Sequence, residues 1–214
     1  MRIKLRNIIR MAMLVTSVVA LVLVLKKPAP VAKPQSKAAI AANAESFGQK
    51  MEQFAEAAQQ SSASSGGSYR TTASRDQQAI VTKAEVRLNS NEVGAALAQA
   101  TGAGELSPNS NVGNGAPTIK DERVSFEGDV VHGQFLAEVA GKDVWVTVSG
   151  HLGAKDGYAT FDPTEFKLGD MSVPVSLVNP SLQKKLAEQR DRLKLPDYVG
   201  DVKVENGELV MQQK

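Results

Sequence analysis

Three hydrophobic patterns follow one another along the chain. From Met11 to Leu25 the run MAMLVTSVVALVLVL carries no charge and has no polar face. A helix apolar on all sides belongs in lipid or deep in a large core. With Ile8 and Ile9 across Arg10 the run reaches about eighteen residues, near the lower limit for crossing a ~30 Å hydrocarbon layer. The second pattern has helical period. In the Ala/Gln/Glu-rich stretch 37–60, Ile40, Phe47, Met51 and Phe54 fall on one face. That stripe predicts a stalk helix packed on the domain or on a second copy; an amphipathic helix lying on the membrane is the alternative. Between these two helices Pro28, Pro30 and Pro34 predict a stiff, extended spacer. Residues 59–78 are Ser/Gly-rich with no apolar period and read as a linker.

The third pattern starts near Ala79. Ile80, Ala84, Val86 and Leu88 alternate with Lys83, Glu85 and Arg87, which predicts a strand with one buried face. Asn89 and Glu92 have the spacing of a capping box ahead of a short helix with Val93, Ala96, Leu97 and Ala100 inward. Residues 102–117 read as a long Gly/Asn/Pro-rich loop. From Glu122 a β-meander follows, with strands near 122–127, 129–139, 143–152, 157–168 and 171–174 and turn residues between them. Asn179-Pro180 resembles a helix start, predicting a helix from Pro180 to about Leu193 with Leu182, Leu186 and Leu193 inward. Two strands, about 199–205 and 208–212, close the chain around Asn206-Gly207. The predicted architecture is α+β: a curved, mostly antiparallel meander packed against helices, preceded by one transmembrane helix and a helical stalk. The divisions are 1–27 for tail and signal anchor, 28–78 for spacer, stalk and linker, and 79–214 for a domain expected to fold alone.

Charge sharpens the topology. Residues 1–37 hold eight Lys/Arg and no acid, whereas 38–214 hold 17 bases and 23 acids, a net of −6. The N-terminal cluster predicts a cytoplasmic N-terminus. Lys26-Lys27-Pro28 suits a signal-peptidase site poorly, so an uncleaved anchor is expected over a cleaved signal peptide. The expected location is the cytoplasmic membrane, single-pass, with the domain extracytoplasmic (periplasmic). An acidic domain argues against a nucleic-acid partner. With no Cys there is no disulfide framework, lipobox or thiolate site.

The residues offer little chemistry. No G-x-S-x-G elbow, P-loop or G-x-G-x-x-G occurs. His132 and His151, with Asp129 or Asp156, lack the short spacing of a zinc pair and read as strand histidines. No catalytic residue, metal or cofactor is assigned. Gly133, Ala137 and Gly150 lie among the valines of the presumed core face, and small residues leave room over a sheet. The candidate ligand-binding residues are therefore Val131, Phe135, Val139, Val146, Val148, Leu182 and Leu186, enclosing an apolar groove wide enough for an acyl chain. Trp145 is expected on the opposite, polar face.

The run Phe161-Asp162-Pro163…Phe166-Lys167-Leu168-Gly169-Asp170-Met171-Ser172-Val173-Pro174-Val175 resembles small anchored bacterial envelope proteins of the YpmS type. The ending from Leu195-Pro196 through Gly207-Glu208-Leu209-Val210 is similar to the close of the LmeA-like group. The resemblance covers about residues 80–212. It implies an anchored extracytoplasmic domain that binds phospholipid, and it transfers no site residue. The expected function is a membrane-anchored, non-catalytic domain binding a lipid or other apolar ligand. Its expected partners are the membrane, a lipid, and an envelope protein or a second copy through the stalk. Alternatives are an interaction subunit of an envelope assembly and a hydrolase of envelope polymers.

Overall fold

The computed structural model describes residues 19–64, 83–101, 118–139, 141–188 and 190–214. The loop at 102–117, residues 1–18 with the first part of the apolar run, and residues 65–82 of the linker and strand start lie outside them. Among the described residues no helix is long and apolar enough to cross a membrane. Residues 19–25 are helical.

The fold is α+β with antiparallel sheets and helices packed against them. Helix α1 (Lys37–Ser64) precedes β1 (Glu85–Leu88) and α2 (Ser90–Thr101). Strands β2 (Thr118–Glu127), β3 (Val130–Val139), β4 (Lys142–Lys155), β5 (Tyr158–Leu168) and β6 (Met171–Val173) form one sheet in sequence order, the meander that the turn residues predict. Asp156-Gly157 and Asn206-Gly207 all have positive φ, so both hairpins close with the turn whose twist matches paired strands. Helix α3 (Val175–Glu188) and a 3₁₀ turn (Arg190–Leu193) lead to β7 (Val199–Glu205) and β8 (Glu208–Gln213). The closing hairpin does not extend the meander. It pairs with β1 in a second sheet of order β1-β8-β7.

The main core lies where the small sheet meets α1. Phe54 is buried there with Val86, Leu88, Val199, Val202 and Val204, and its ring meets Tyr198 edge-on with centroids 5.5 Å apart. Phe47 and Met51 of the same stripe pack on this cluster, as do Phe126, Val131, Leu152 and Ala154 from one end of the large sheet. The stripe thus packs on its own domain, and the core draws on residues ahead of 79, where the sequence pattern set the boundary.

Two expectations about the last helix need correction. It starts at Val175, with the Leu177 N–H donating to the Pro174 carbonyl, so Pro180 is interior. Pro174 is the proline that stands at the helix start; the Asn-Pro pair copies the same signal five residues late. Nor does this helix roof the core. None of its residues is buried; Leu182, Leu186 and Leu193 are half-buried, and α3 and the 3₁₀ turn lie against β5. The hairpin β7–β8 and α1 bury the core instead.

Truncating a buried aromatic removes its transfer energy and leaves a cavity, at about 3–5 kcal/mol. Phe54→Ala is expected to destabilise the whole domain by that amount in urea unfolding followed by far-UV circular dichroism. A loss below about 1 kcal/mol would mean that α1 is an appendage.

Candidate functional site

The large sheet has an apolar face and a polar face, set by strand alternation. Across the apolar face run two rows of paired positions. Glu122, Phe135, Val146, Leu168 and Met171 form one; Val124, Gly133, Val148, Phe166 and Val173 form the other. Val124 on β2 is buried, whereas from β3 to β6 every side chain of these rows beyond the glycine is only half-buried. Of the seven expected ligand-binding residues, Phe135, Val146 and Val148 therefore share one open surface. Val131 lies on the same face but packs into the main core. Val139 pairs with Lys142 at the hairpin end, its side chain outside the described set. Leu182 and Leu186 stand on α3 beside β5, so the helix does not close a groove over the valines.

The small residues do not leave the expected space either. A Cβ added at Gly133 would lie 3.0 Å from Cε2 of Phe135, and one at Gly150 would collide with the Asp162 backbone carbonyl and lie 2.8 Å from Cζ of Phe161. A phenylalanine ring lies over each glycine, an aromatic covering bare sheet backbone, and at Gly150 the neighbouring strand's backbone comes closer still. The result is a shallow apolar face. A cavity of about 360 Å³ opens elsewhere, between α1 (Lys50, Gln53, Phe54) and β1 (Glu85, Val86, Arg87).

The middle of the polar face is buried. Gln134 is 1% exposed and Ser149 2%. What covers part of it is the chain's own Pro-rich segment, expected to be a stiff, extended spacer. The Asp170 N–H donates to the Leu23 carbonyl at 2.9 Å, and Lys26 pairs with Asp170 at 2.6 Å. Pro28 is buried, and the Gln134 amide donates to the Ala29 carbonyl at 3.0 Å. Gln35 then donates to the Asn91 carbonyl of α2 at 3.1 Å. This strap closes over Trp145, whose ring centroid lies 4.9 Å from the Arg123 guanidinium and 5.8 Å from the Lys27 ammonium. The tryptophan is thus an internal packing residue of the polar face, held by cation–π contacts. Three prolines donate no backbone hydrogen bond, so the strap crosses the strands without pairing to them.

A second polar cluster fixes α1. The Asn89 side chain accepts from the Asn91 and Glu92 N–H groups at 3.0 Å, and Glu92 accepts from the Asn89 N–H at 2.9 Å, the expected capping box. Glu92 is buried and also accepts from Ser46 (2.6 Å) and Lys50 (2.9 Å) of α1. Burial pushes its carboxyl up. The Lys50 and Ser46 hydrogen bonds and the Asn89 amide outweigh that and hold it below the ordinary value.

The histidines stand on neighbouring strands with separate partners. His132 Nδ1 is 2.8 Å from Ser149 Oγ, and His151 Nδ1 is 3.5 Å from an Asp129 carboxylate oxygen. Among the described residues no three His, Asp or Glu side chains come together as a metal set.

An acid whose folded value is depressed stabilises the fold above its unfolded value, about 4.3 for Glu, and that stability is lost as pH falls through the folded value. Glu92→Gln is expected to cost about 1–3 kcal/mol at pH 7. The gap to the native chain should shrink as pH drops below about 4.3 in urea titrations at several pH values; a gap independent of pH contradicts the Glu92 assignment. At Gly169, φ is +58° and an added Cβ would collide with the Val24 carbonyl. Gly169→Val is expected to unseat the strap. Trp145 is the only tryptophan, so its emission should shift to the red; unchanged emission would show that the strap does not seat there. No family model, no curated protein and no solved structure matches this chain.

Proposed function

We propose that this chain is a single-pass membrane protein whose domain lies outside the cytoplasm and binds a lipid or another apolar ligand without catalysis. The observation that carries the reading is an open apolar sheet face, Phe135, Val146, Val148, Phe166 and Leu168, on a sheet whose reverse is strapped to the exit of an apolar N-terminal run. Acyl chains are the abundant apolar ligands beside a bilayer. Each methylene removed from water contributes about 0.8 kcal/mol, so eight give roughly 6 kcal/mol before association costs. Such a site needs no reactive group, which agrees with the sparse chemistry of the sequence. The segments at 161–175 and 195–210 that resemble YpmS- and LmeA-type envelope proteins imply the same reading.

One observation favours the alternative of an interaction subunit in an envelope assembly. Phe135 fills the space over Gly133, and Phe161 with the Asp162 carbonyl fills that over Gly150, which leaves the face shallow, a shape that suits a protein surface as well as a chain in a groove.

The full chain purified from membranes is expected to carry lipid detectable by mass spectrometry of organic extracts. Val148→Glu places a charge on the open face and should abolish that lipid while the thermal transition persists. Lipid retained at the native level by a folded Val148→Glu protein overturns the ligand reading and leaves the interaction subunit.

A further inference from the structure

The strap crosses the large sheet in one direction. Its contacts run from the β5–β6 turn (Lys26 with Asp170) to β4 (Lys27 with Trp145), then β3 (Ala29 with Gln134), and finally α2 (Gln35 with Asn91). The N-terminal apolar run therefore reaches the sheet from the β6 side, and β6 is the strand that leads into α3. Five large apolar side chains stand out as exposed among the described residues. Val19, Leu21, Val22 and Leu25 belong to the arriving helix; the fifth, Leu177 in the first turn of α3, is 72% exposed.

Helix α3 has two sides. Leu182 and Leu186 are half-buried toward the domain. Leu177 projects from the opposite side, and exposed Lys184, seven residues or nearly two turns on, shares its face. Glu188 lies there too and is paired with Lys185 at 2.7 Å. Residues 175–196 hold five bases (Lys184, Lys185, Arg190, Arg192, Lys194) and two acids, although the chain from residue 38 on is net acidic. An apolar leading turn followed by a cationic stretch complements an anionic lipid surface, with one end among acyl chains and the other against headgroups.

We propose that α3 and the 3₁₀ turn lie on the same bilayer that holds the N-terminal run, with Leu177 in the apolar boundary and Lys184 and Arg192 against anionic headgroups. The inference rests on the tethering reading above and adds a second, lipid-selective contact that orients the domain with its β6 edge toward the membrane.

The chain has no cysteine, so Leu177→Cys takes a single environment-sensitive fluorophore. The labelled full chain is reconstituted in vesicles of phosphatidylcholine with or without phosphatidylglycerol, and a second sample carries the label at exposed Asp201. The label at 177 is expected to shift to the blue and resist iodide quenching when phosphatidylglycerol is present. Both effects should be lost on adding Lys184→Glu and Arg192→Glu, while the label at 201 stays water-like. Water-like emission at 177 in a chain that resists alkaline extraction overturns the surface contact and leaves the tether standing. A shift that follows protein density instead of phosphatidylglycerol marks contact with a second copy and likewise overturns it. Release of the chain by alkaline washing overturns the tether and this inference with it.

Discussion

The Glu92 carboxylate holds three segments at one point. It caps α2 through the Asn89 N–H, it accepts from Ser46 and Lys50 of α1, and Lys50 in turn donates to the Arg87 carbonyl of β1. A buried carboxylate without such partners would be expelled or neutralised. With them it fixes how α1 lies beside β1 and α2. That placement delivers Phe54 to the small sheet, and the small sheet then covers the end of the large one that carries Phe126, Val131 and Leu152. The core is therefore assembled around a polar joint, and its apolar contacts depend on the alignment this joint imposes.

The large sheet illustrates a general constraint: each face of a sheet must be covered or left to water. Here the usual assignment is partly inverted. The face of Gln134, Trp145, Thr147 and Ser149 is buried, in part beneath the strap, while part of the valine and phenylalanine face stays half-open. Gln134 spends its amide on the strap's Ala29 carbonyl and on Thr147, and Ser149 meets His132, so burial there leaves these polar groups hydrogen-bonded. An apolar surface left open on a domain that could have closed over it is what gives the binding proposal its content.

What the sequence disclosed was local. Alternation and turn residues located the meander strands to within a few residues, because side-chain direction and positive φ are properties of two to four neighbouring positions. The capping box at Asn89 and Glu92 was legible for the same reason. What escaped were choices made over long separations. Nothing near β8 announces that it pairs with β1, more than a hundred residues earlier. Nothing near Pro28 announces a seat over Trp145. The candidate site suffered most from this. Strand parity put Phe135, Val146 and Val148 on one face, but whether a helix closes over them is a packing decision, and α3 went to β5 instead. Glycine in a strand reads as room, but the Phe135 ring two positions away fills it at Gly133, and the next strand's Phe161 ring and Asp162 carbonyl fill it at Gly150.

The strap also determines how far the domain can travel. A flexible linker lets a tethered domain sweep a volume that grows with linker length. Here the chain is fixed at Lys26, again at Ala29 and again at Gln35, so it has almost no slack. Under the tethering proposal, a domain held this way keeps one height and one face toward the bilayer that holds its N-terminus. Encounters are then confined to two dimensions, and a partner must present its surface at that height.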